Sequence, residues 1–297
     1  MFIFILLGLF GAKKHWIGDQ AISGMTNILV YFVTPAVIVQ AFHRPFSWGE
    51  MRDLGFVAGL DFLLYPAMIG LTFLLFRRIQ DPDLRRNLRY GGIYSNSGFM
   101  GIPLVSALLG THGVFFAVLY LAMFNVYAWT HGWRMFAPDE RGGVVKQLVT
   151  NPAIPAVFVG LAVFVSPVAL PDFVVNGLGM ISAMNAPLSM FVIGASLAAV
   201  RWRTFASDKW LWAGTGVRNV LIPLLGVLIL WPIPLQYDAK LATLVLLACP
   251  VAAYLVMFSV MHKVSTDFPT RFVCLSTLVS ILTLPATISL ATTLWGG

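Results

Sequence analysis

The fold is decided by two stretches, Gly91-Gly-Ile-Tyr-Ser-Asn-Ser-Gly-Phe-Met-Gly-Ile-Pro103-Leu and Leu244-Val-Leu-Leu-Ala-Cys-Pro250-Val-Ala-Ala-Tyr254. Each carries a proline in the middle of an apolar run. Because proline lacks an N–H donor and clashes with the preceding turn, each run is predicted to split into two half-helices. Unwound backbone at membrane depth persists only where it is buried in protein or lines a wet cavity. Paired interruptions in the two halves of a membrane chain point to a transporter's substrate site.

The composition is that of an integral membrane protein. The 297 residues are 59% hydrophobic and 10% charged, with a mean hydropathy of +0.84. A soluble domain carries about 25% charged residues, so no soluble domain is expected. The two cysteines, Cys249 and Cys274, lie in apolar runs and are interpreted as small buried side chains. The five histidines show no metal-ligand spacing, so neither a metal site nor a cofactor is predicted.

Hydropathy and the positions of charged residues predict ten transmembrane spans. They cover residues 1–12, 22–42, 54–76, 88–109, 112–133, 152–170, 175–200, 209–232, 238–261 and 269–295. The first span rises only about 18 Å against a hydrocarbon core of about 30 Å. Either the bilayer thins there or the natural start lies upstream, and we favour the second explanation.

The basic residues predict the orientation of the chain. Fifteen of the 19 Lys and Arg residues fall in the odd-numbered loops, three fall in the even-numbered loops, and Arg218 lies inside a span. Because basic loops stay on the cytoplasmic side, both termini are predicted to face outward from a bacterial inner membrane. The +7 net charge is thereby explained by topology, and no nucleic-acid partner is expected.

Five spans in each half predict an inverted repeat, since an odd number of spans turns the second copy over. Residues 1–133 form the first copy, residues 134–150 a cytoplasmic connecting loop, and residues 151–297 the second copy. The second span carries Pro35 and the seventh carries Pro187, while the fourth and ninth carry the central prolines. The fold class is therefore predicted as all-α, with ten spans and two broken helices.

The broken helices carry most of the candidate substrate-binding residues. A half-helix N-terminus offers free N–H groups and about half a positive charge, which suits a carboxylate. Glycines let the backbone approach a ligand, and an asparagine side chain donates and accepts without the cost of burying a charge. The candidates are Asn96, Ser97, Gly101, Pro103, Leu104, Pro250 and Val251, together with Asn27 and Asn185.

Two ionisable residues lie inside predicted spans and are candidates for ion coupling. Asp61 is the acidic residue within the third span, and Arg218 is the basic residue within the eighth. An isolated charge at the bilayer centre costs about 2.5–3.5 kcal/mol, so each should be paired, neutral or turned inward. We expect the two side chains to pair with each other.

The sequence around the breaks resembles a known family. Phe99-Met-Gly-Ile-Pro-Leu104, with Asn96 seven residues before the proline, is similar to the fourth-helix motif of the auxin efflux carrier family. That family includes plant PIN-type carriers and bacterial organic-acid carriers. Further similar stretches are Asn151-Pro152, Ala186-Pro187-Leu, Ile193-Gly-Ala-Ser-Leu197, Arg218 with Pro223, Ala248-Cys-Pro250, and Leu275 to Pro285.

The resemblance implies a fold like those of sodium/proton antiporters and bile-acid symporters, with helices 4 and 9 crossing at their prolines. Spans 1, 2, 6 and 7 would form a scaffold, and spans 3–5 and 8–10 a transport domain moving in elevator fashion, often in a homodimer. By position, Asn96, Pro103 and Pro250 correspond to crossover residues and Asp61 to a third-helix acid. Plant members commonly carry a lysine one turn after that acid, where this chain has Tyr65. The long cytoplasmic loop of many plant members is also missing, which indicates a compact bacterial type.

The function predicted from these features is secondary transport of small organic anions, malate- or malonate-like, by efflux or by proton coupling through Asp61. An inside-negative potential of 100 mV favours anion export by about 2.3 kcal/mol per charge. The alternatives are a sodium-coupled organic-anion symporter of the bile-acid type and a non-transporting membrane receptor on the same fold. No Walker A loop, His-Glu-x-x-His or Gly-x-Ser-x-Gly motif is present, so an enzyme is not predicted.

Overall fold

The chain is built almost entirely from helices. The computed structural model describes residues 2–137, 151–166, 170–198 and 208–296. The α-helices of these ranges are α1 Phe2–Lys13, α2 Asp19–Ile28, α3 Thr34–Phe42, α4 Trp48–Leu75, α5 Pro82–Ile93, α6 Ile102–Tyr127, α7 Ala153–Val165, α8 Asp172–Ala183, α9 Asn185–Leu197, α10 Lys209–Gly216, α11 Ile222–Leu230, α12 Tyr237–Ala248, α13 Tyr254–Met261 and α14 Asp267–Trp295. Wider π-helical turns cover Leu29–Val33, Ser97–Gly101, Ala128–Gly132 and Val217–Leu221.

Helix α6 is a hairpin of two arms. Gly110 interrupts it with φ 62° and ψ −155°, a conformation that glycine reaches without a steric penalty. The Tyr94 hydroxyl, before the first arm, donates to the Tyr127 carbonyl at the end of the second (2.9 Å). Gly113 lies against Val105 and Leu109 across the turn. Residues 102–109 and 111–127 therefore run antiparallel, in keeping with the predicted boundary between the fourth and fifth spans.

Local sequence explains where several helices begin. Asp81 accepts hydrogen bonds from the amides of Asp83 and Leu84, and Pro82 occupies the first turn of α5. Asp208 caps α10 in the same way. An aspartate at the N-cap satisfies amides that have no partner within the helix, and proline is tolerated there because its missing N–H is not needed.

Helix α4 continues through Pro66 because a tyrosine replaces the lost hydrogen bond. Proline at position 66 cannot donate to the carbonyl of Phe62 one turn earlier. The Tyr127 hydroxyl donates to that carbonyl instead, at 3.0 Å. The second arm of α6 is thereby fastened to the middle of α4.

The helices pack in two sets. The first set consists of helices α1, α2, α3, α7, α8 and α9, and the second set consists of α4, α5, α6 and α10 to α14. The helices within each set pack against one another. Contacts between the sets run mainly from α3, α7 and α9 to α6 and the turn Ser97–Gly101. Within the first set α1 and α9 approach through glycines, since a Cβ on Gly8 would lie 2.0 Å from the Phe191 carbonyl oxygen.

Six helices of the described ranges are long and apolar enough to cross a membrane: Gln20–Phe42, Trp48–Leu75, Ser97–Gly132, Asp172–Leu197, Lys209–Leu230 and Asp267–Trp295. These helices overlap seven of the regions expected from hydropathy, because the helix Ser97–Gly132 contains the Gly110 reversal and covers both the fourth and the fifth region. Helices α1 and α7 are shorter, with 12 and 13 residues. The count of ten spans stays a prediction. Residues 138–150, which are most of the predicted connecting loop, lie outside the described ranges.

The first break was expected over the stretch that contains Asn96, Ser97, Gly98, Gly101 and Pro103, and the unwound residues lie at the start of that stretch. Helix α5 ends at Ile93 and the chain turns helical again at Ser97. Pro103 lies inside the first turn of α6, where its missing N–H interrupts little. Pro250, in contrast, lies within the second break, between α12 and α13.

Candidate functional site: the crossover of two broken helices

The two interrupted segments meet in the interior as a short antiparallel pair. Ser95 and Val251 form the β-bridge. The Asn96 amide donates to the Pro250 carbonyl at 2.7 Å, and the Ala252 amide donates to the carbonyl of Tyr94 at 2.9 Å. Each break therefore supplies the backbone partners that the other lacks, as buried unwound backbone requires.

Four amides beside this crossing have no acceptor among the described residues. They belong to Gly98 and Phe99, at the start of the Ser97–Gly101 turn, and to Ala253 and Tyr254, at the start of α13. The first amides of a helix have no intrahelical partner and carry a partial positive charge. Two helix N-termini thus present matching pairs of free donors.

Two cavities flank these amides. One of about 50 Å³ is lined by Val30, Thr34, Ser95, Asn96, Ser97, Gly98, Phe99, Leu121, Phe124, Asn125, Asn151, Ala153, Ala252, Ala253 and Tyr254. The other, of about 160 Å³, is lined by Thr26, Asn96, Phe99, Val192, Ile193, Ser196, Leu197, Ala253, Val273, Cys274 and Thr277. Asn96, Phe99 and Ala253 line both, so Asn96 lies between the cavities. Among the described residues, no Lys, Arg, Asp or Glu lines either one.

A cluster of polar side chains that the sequence reasoning missed lies in the smaller cavity. Asn151 donates to the side-chain oxygen of Asn125 at 2.6 Å, and Tyr254 donates to the same oxygen at 3.5 Å. The Ser97 hydroxyl is buried and has no hydrogen-bond partner within the described ranges. A lone asparagine in the apolar run Leu119–Val126 was the available signal for Asn125, since a buried amide needs partners.

Arg218 binds the C-terminal ends of the two helices that precede the breaks. Its Nε donates to the Cys249 carbonyl at 2.9 Å, its Nη1 donates to the carbonyls of Gly92 (3.1 Å) and Ile93 (3.2 Å), and its Nη2 donates to the Leu247 carbonyl. These carbonyls lie at the C-terminal ends of α5 and α12, where unpaired oxygens carry partial negative charge. The buried guanidinium neutralises both ends at once.

The two breaks are supported by side chains at the same sequence distance. The hydroxyls of Ser95 and Tyr120 lie 3.4 Å apart, and the Val251 amide donates to the Ser276 hydroxyl at 3.0 Å. The two partners are 25 positions apart in the sequence in each pair. The Ser276 hydroxyl in turn donates to the Asn219 side chain at 2.6 Å. Buried polar bonds of this kind fix the crossing in one geometry.

Asp61 and Arg218 form no ion pair among the described residues, so the direct pairing expected from the sequence is not formed. The guanidinium is occupied by backbone carbonyls instead. Asp61 is fully buried, and neither carboxylate oxygen has a hydrogen-bond partner in the described part of the chain. Tyr65, one turn further along α4, stacks on Tyr127 (centroids 4.7 Å) and lies 5.7 Å from Tyr120.

The remaining predicted site residues lie in different places. Pro250 and Val251 form the crossing, while Leu104 lines a separate apolar cavity. Gly101 packs against α12, where a Cβ would lie 2.8 Å from the Leu246 side chain. Asn185 is buried beside Ser189, and the exposed Asn27 lines none of the described cavities.

Comparison with known proteins assigns the class that this architecture indicates. The sequence model of a family described as "Membrane transport protein" matches residues 1–288. The chain also resembles an uncharacterized transporter of Methanothermobacter thermautotrophicus, with 22% identity over 295 residues that cover 95% of this chain and 93% of that protein. The protein is a multi-pass membrane protein of the transporter class. It belongs to the auxin efflux carrier family of membrane transport proteins.

Proposed function

We propose that the protein is a secondary transporter that moves small organic anions, malate- or malonate-like carboxylates, across the bacterial cytoplasmic membrane. The observation that carries this proposal is the pair of facing helix N-termini, with free amides at Gly98, Phe99, Ala253 and Tyr254 around one cavity. Such amides bind a carboxylate by charge-assisted hydrogen bonds. Asn96 lies between them and orients the anion.

The chemistry of the lining favours an anion held loosely enough to be released. No basic side chain of the described ranges lines the two cavities, so the anion meets partial charges there rather than a full ion pair. The Asn125 and Asn151 side chains and the Tyr254 hydroxyl add donors and acceptors that select polar substituents. Moderate affinity at a site reached from both sides is what a carrier requires.

Transport requires the site to open, because about 50 Å³ accommodates only a few waters. We propose that the set α1, α2, α3, α7, α8 and α9 is a scaffold and that the set α4, α5, α6 and α10 to α14 is an elevator-type transport domain. Both broken helices belong to the second set, while Val30, Thr34 and Asn151 close the cavity from the first. Sliding one set past the other would expose the anion.

We propose that the chain crosses the membrane ten times as an inverted repeat, with both termini outside. We also propose that the protein is a homodimer. The equal 25-residue spacing of the supporting pairs Ser95–Tyr120 and Val251–Ser276 favours the repeat. The antiparallel crossing of the breaks is what a two-fold relation between the halves produces. The concentration of Lys and Arg in alternate loops favours the orientation.

For coupling, we propose proton binding at Asp61 or uncoupled efflux. An unpaired buried carboxylate is costly, and a bound proton removes that cost. Tyr120 lies 3.4 Å from Ser95 of the crossing, and its ring lies 5.7 Å from the ring of Tyr65, one turn after Asp61 on α4, which supports a carboxyl group close to the crossing.

Counterflow into proteoliposomes tests the function. Radiolabelled mono- and dicarboxylates are offered with and without pH and sodium gradients, and we expect carboxylate exchange that does not need sodium. Steep sodium dependence would instead support a sodium-coupled symporter, and substrate binding without flux would support a receptor.

The variant Asn96→Ala tests the site. We expect apparent affinity to fall about ten- to hundredfold, because a hydrogen bond to a charged group contributes about 1.5–3 kcal/mol. Asn27→Ala is the matched control, since its exposed side chain lines none of the described cavities. Equal affinity in both variants would show that the Asn96 side chain does not bind the substrate.

A further inference from the structure

A third cavity, of about 400 Å³, lies beside the crossover and is lined almost entirely by apolar side chains. One wall is formed by α1 and α9, with Ile5, Met190 and Ile193. The other is formed by the first arm of α6 and by α14, with Leu104 and Leu284. No extended contact joins α14 to α1 or α9 within the described ranges. The cavity is therefore a gap between two packed units.

Water is a poor occupant of this space. The hydroxyls of Thr277, Ser280 and Thr292 all donate to carbonyls of their own helix, at 2.8, 2.6 and 2.9 Å. A buried water needs two to four polar partners, and an apolar cavity of about 150 Å³ already stays dry and binds benzene. A void of the present size would also forfeit dispersion contacts along both walls. The chemistry requires an apolar guest.

The mouth of the cavity opens onto lipid-facing surface. Leu108, at the rim, is 48% exposed. Two of the helices that line the cavity also display large apolar side chains outward, Ile3 and Leu6 on α1 and Leu282 and Leu290 on α14. In a membrane protein such surfaces are covered by hydrocarbon. The cavity therefore continues the lipid-facing surface inward.

We propose that this cavity binds one acyl chain of a membrane phospholipid, which enters past Leu108 and lies between the α1/α9 wall and the α6/α14 wall. Met100 and Met190 form the inner end, and flexible thioether side chains adapt well to a chain of variable shape. The site is separate from the carboxylate site, although Ile193, Leu197 and Thr277 line both this cavity and the one beside Asn96. The bound chain keeps the two walls apart.

Photolabelling of the full-length protein tests the site without any transported substrate. The protein is reconstituted with phosphatidylcholine that carries a diazirine in the middle of an acyl chain, irradiated, and mapped by mass spectrometry. We expect label on Met190, which is only 2% exposed, as well as on Leu282, which is 77% exposed and reports bulk lipid. Label on Leu282 with none on Met190 or Met100 would overturn the proposal.

A plug at the mouth provides the matched comparison. Ser289→Trp places a ring at the exposed rim, and we expect it to abolish labelling of Met190 while leaving Leu282 labelled. Leu290→Trp places the same ring one residue away, outside the lining, and should leave both labels unchanged. Unchanged Met190 labelling in Ser289→Trp, or cross-links that place a second copy of the chain in the cavity, would refute lipid occupancy.

Discussion

At the scale of single residues, the crossover depends on one guanidinium with four carbonyl acceptors. Arg218→Lys keeps the charge but loses the planar fork that bonds the ends of both broken helices at once. We expect a loss of about 3–5 kcal/mol in stability, the usual cost of breaking up a buried charged group and its partners. Thermal unfolding of the purified protein measures it. Arg52→Lys is the control, since its side chain is 83% exposed, and equal melting of both variants would contradict the role given to Arg218.

Asp61 differs from Arg218, because its buried carboxyl group has no hydrogen-bond partner among the described residues. Asp61→Asn retains the shape of the side chain and removes its ability to bind and release a proton. Since neither oxygen makes a hydrogen bond, we expect no loss of thermal stability. If Asp61 couples transport to protons, flux in Asp61→Asn becomes independent of the pH gradient.

Transport measured at several pH gradients, with Asp53→Asn as the control, separates these outcomes. Asp53 is the matched carboxylate because it lies on the same helix but pairs with Arg52 and accepts from Gln236. Unchanged pH dependence in Asp61→Asn would leave uncoupled efflux as the mechanism.

At the scale of helices, the sequence was sufficient to predict where the apolar helices lie along the chain, but not which distant residues their side chains contact. Hydropathy located the apolar helices to within a few residues, because burial in lipid constrains every residue of a span. The prolines and the residues around them indicated both breaks, and the first unwinds around Ser95, at the start of the stretch that was expected to break. The partners of Arg218 could not be predicted, since Gly92 is 126 residues away and periodicity within one helix carries no information about another.

The tightest helix pair makes a prediction at this scale. Helices α1 and α9 approach so closely that a Cβ on Gly194 would lie 1.9 Å from the carbonyl oxygen of Ile5, which is backbone and cannot rotate away. Gly194→Ala should therefore separate the helices and lower thermal stability by about 2 kcal/mol or more, as overpacking does. Gly177→Ala in α8 meets open space and should raise stability by up to about 1 kcal/mol, the helix propensity of alanine over glycine. Thermal unfolding of the purified variants measures both changes in stability. Changes of the same sign in the two variants would refute this packing.

At the scale of the whole molecule, the two halves of the chain are joined where each is least regular. The crossing uses backbone groups that a continuous helix would have satisfied internally, so each half completes the other. The proposed carboxylate site would therefore exist only in the assembled protein, with amides from Gly98 and Phe99 in one half and from Ala253 and Tyr254 in the other. Neither half alone is expected to bind the anion.

The crossing itself can be tested by a disulfide between the halves. Ser95 and Val251 form a pair whose flanking residues exchange the hydrogen bonds, an arrangement with Cα atoms about 4.5 Å apart, which is within the range that a disulfide spans. Ser95→Cys with Val251→Cys, with Cys249 and Cys274 replaced by alanine, should oxidise readily. After cleavage at a protease site inserted between residues 138 and 150, the halves should stay joined until the disulfide is reduced.

The control is the pair Asn27→Cys with Val251→Cys, whose halves should separate at once, because the exposed Asn27 lies away from the crossing. Halves that separate without reductant in the Ser95 and Val251 variant would show that the breaks do not meet, and the proposed anion site would fail with them.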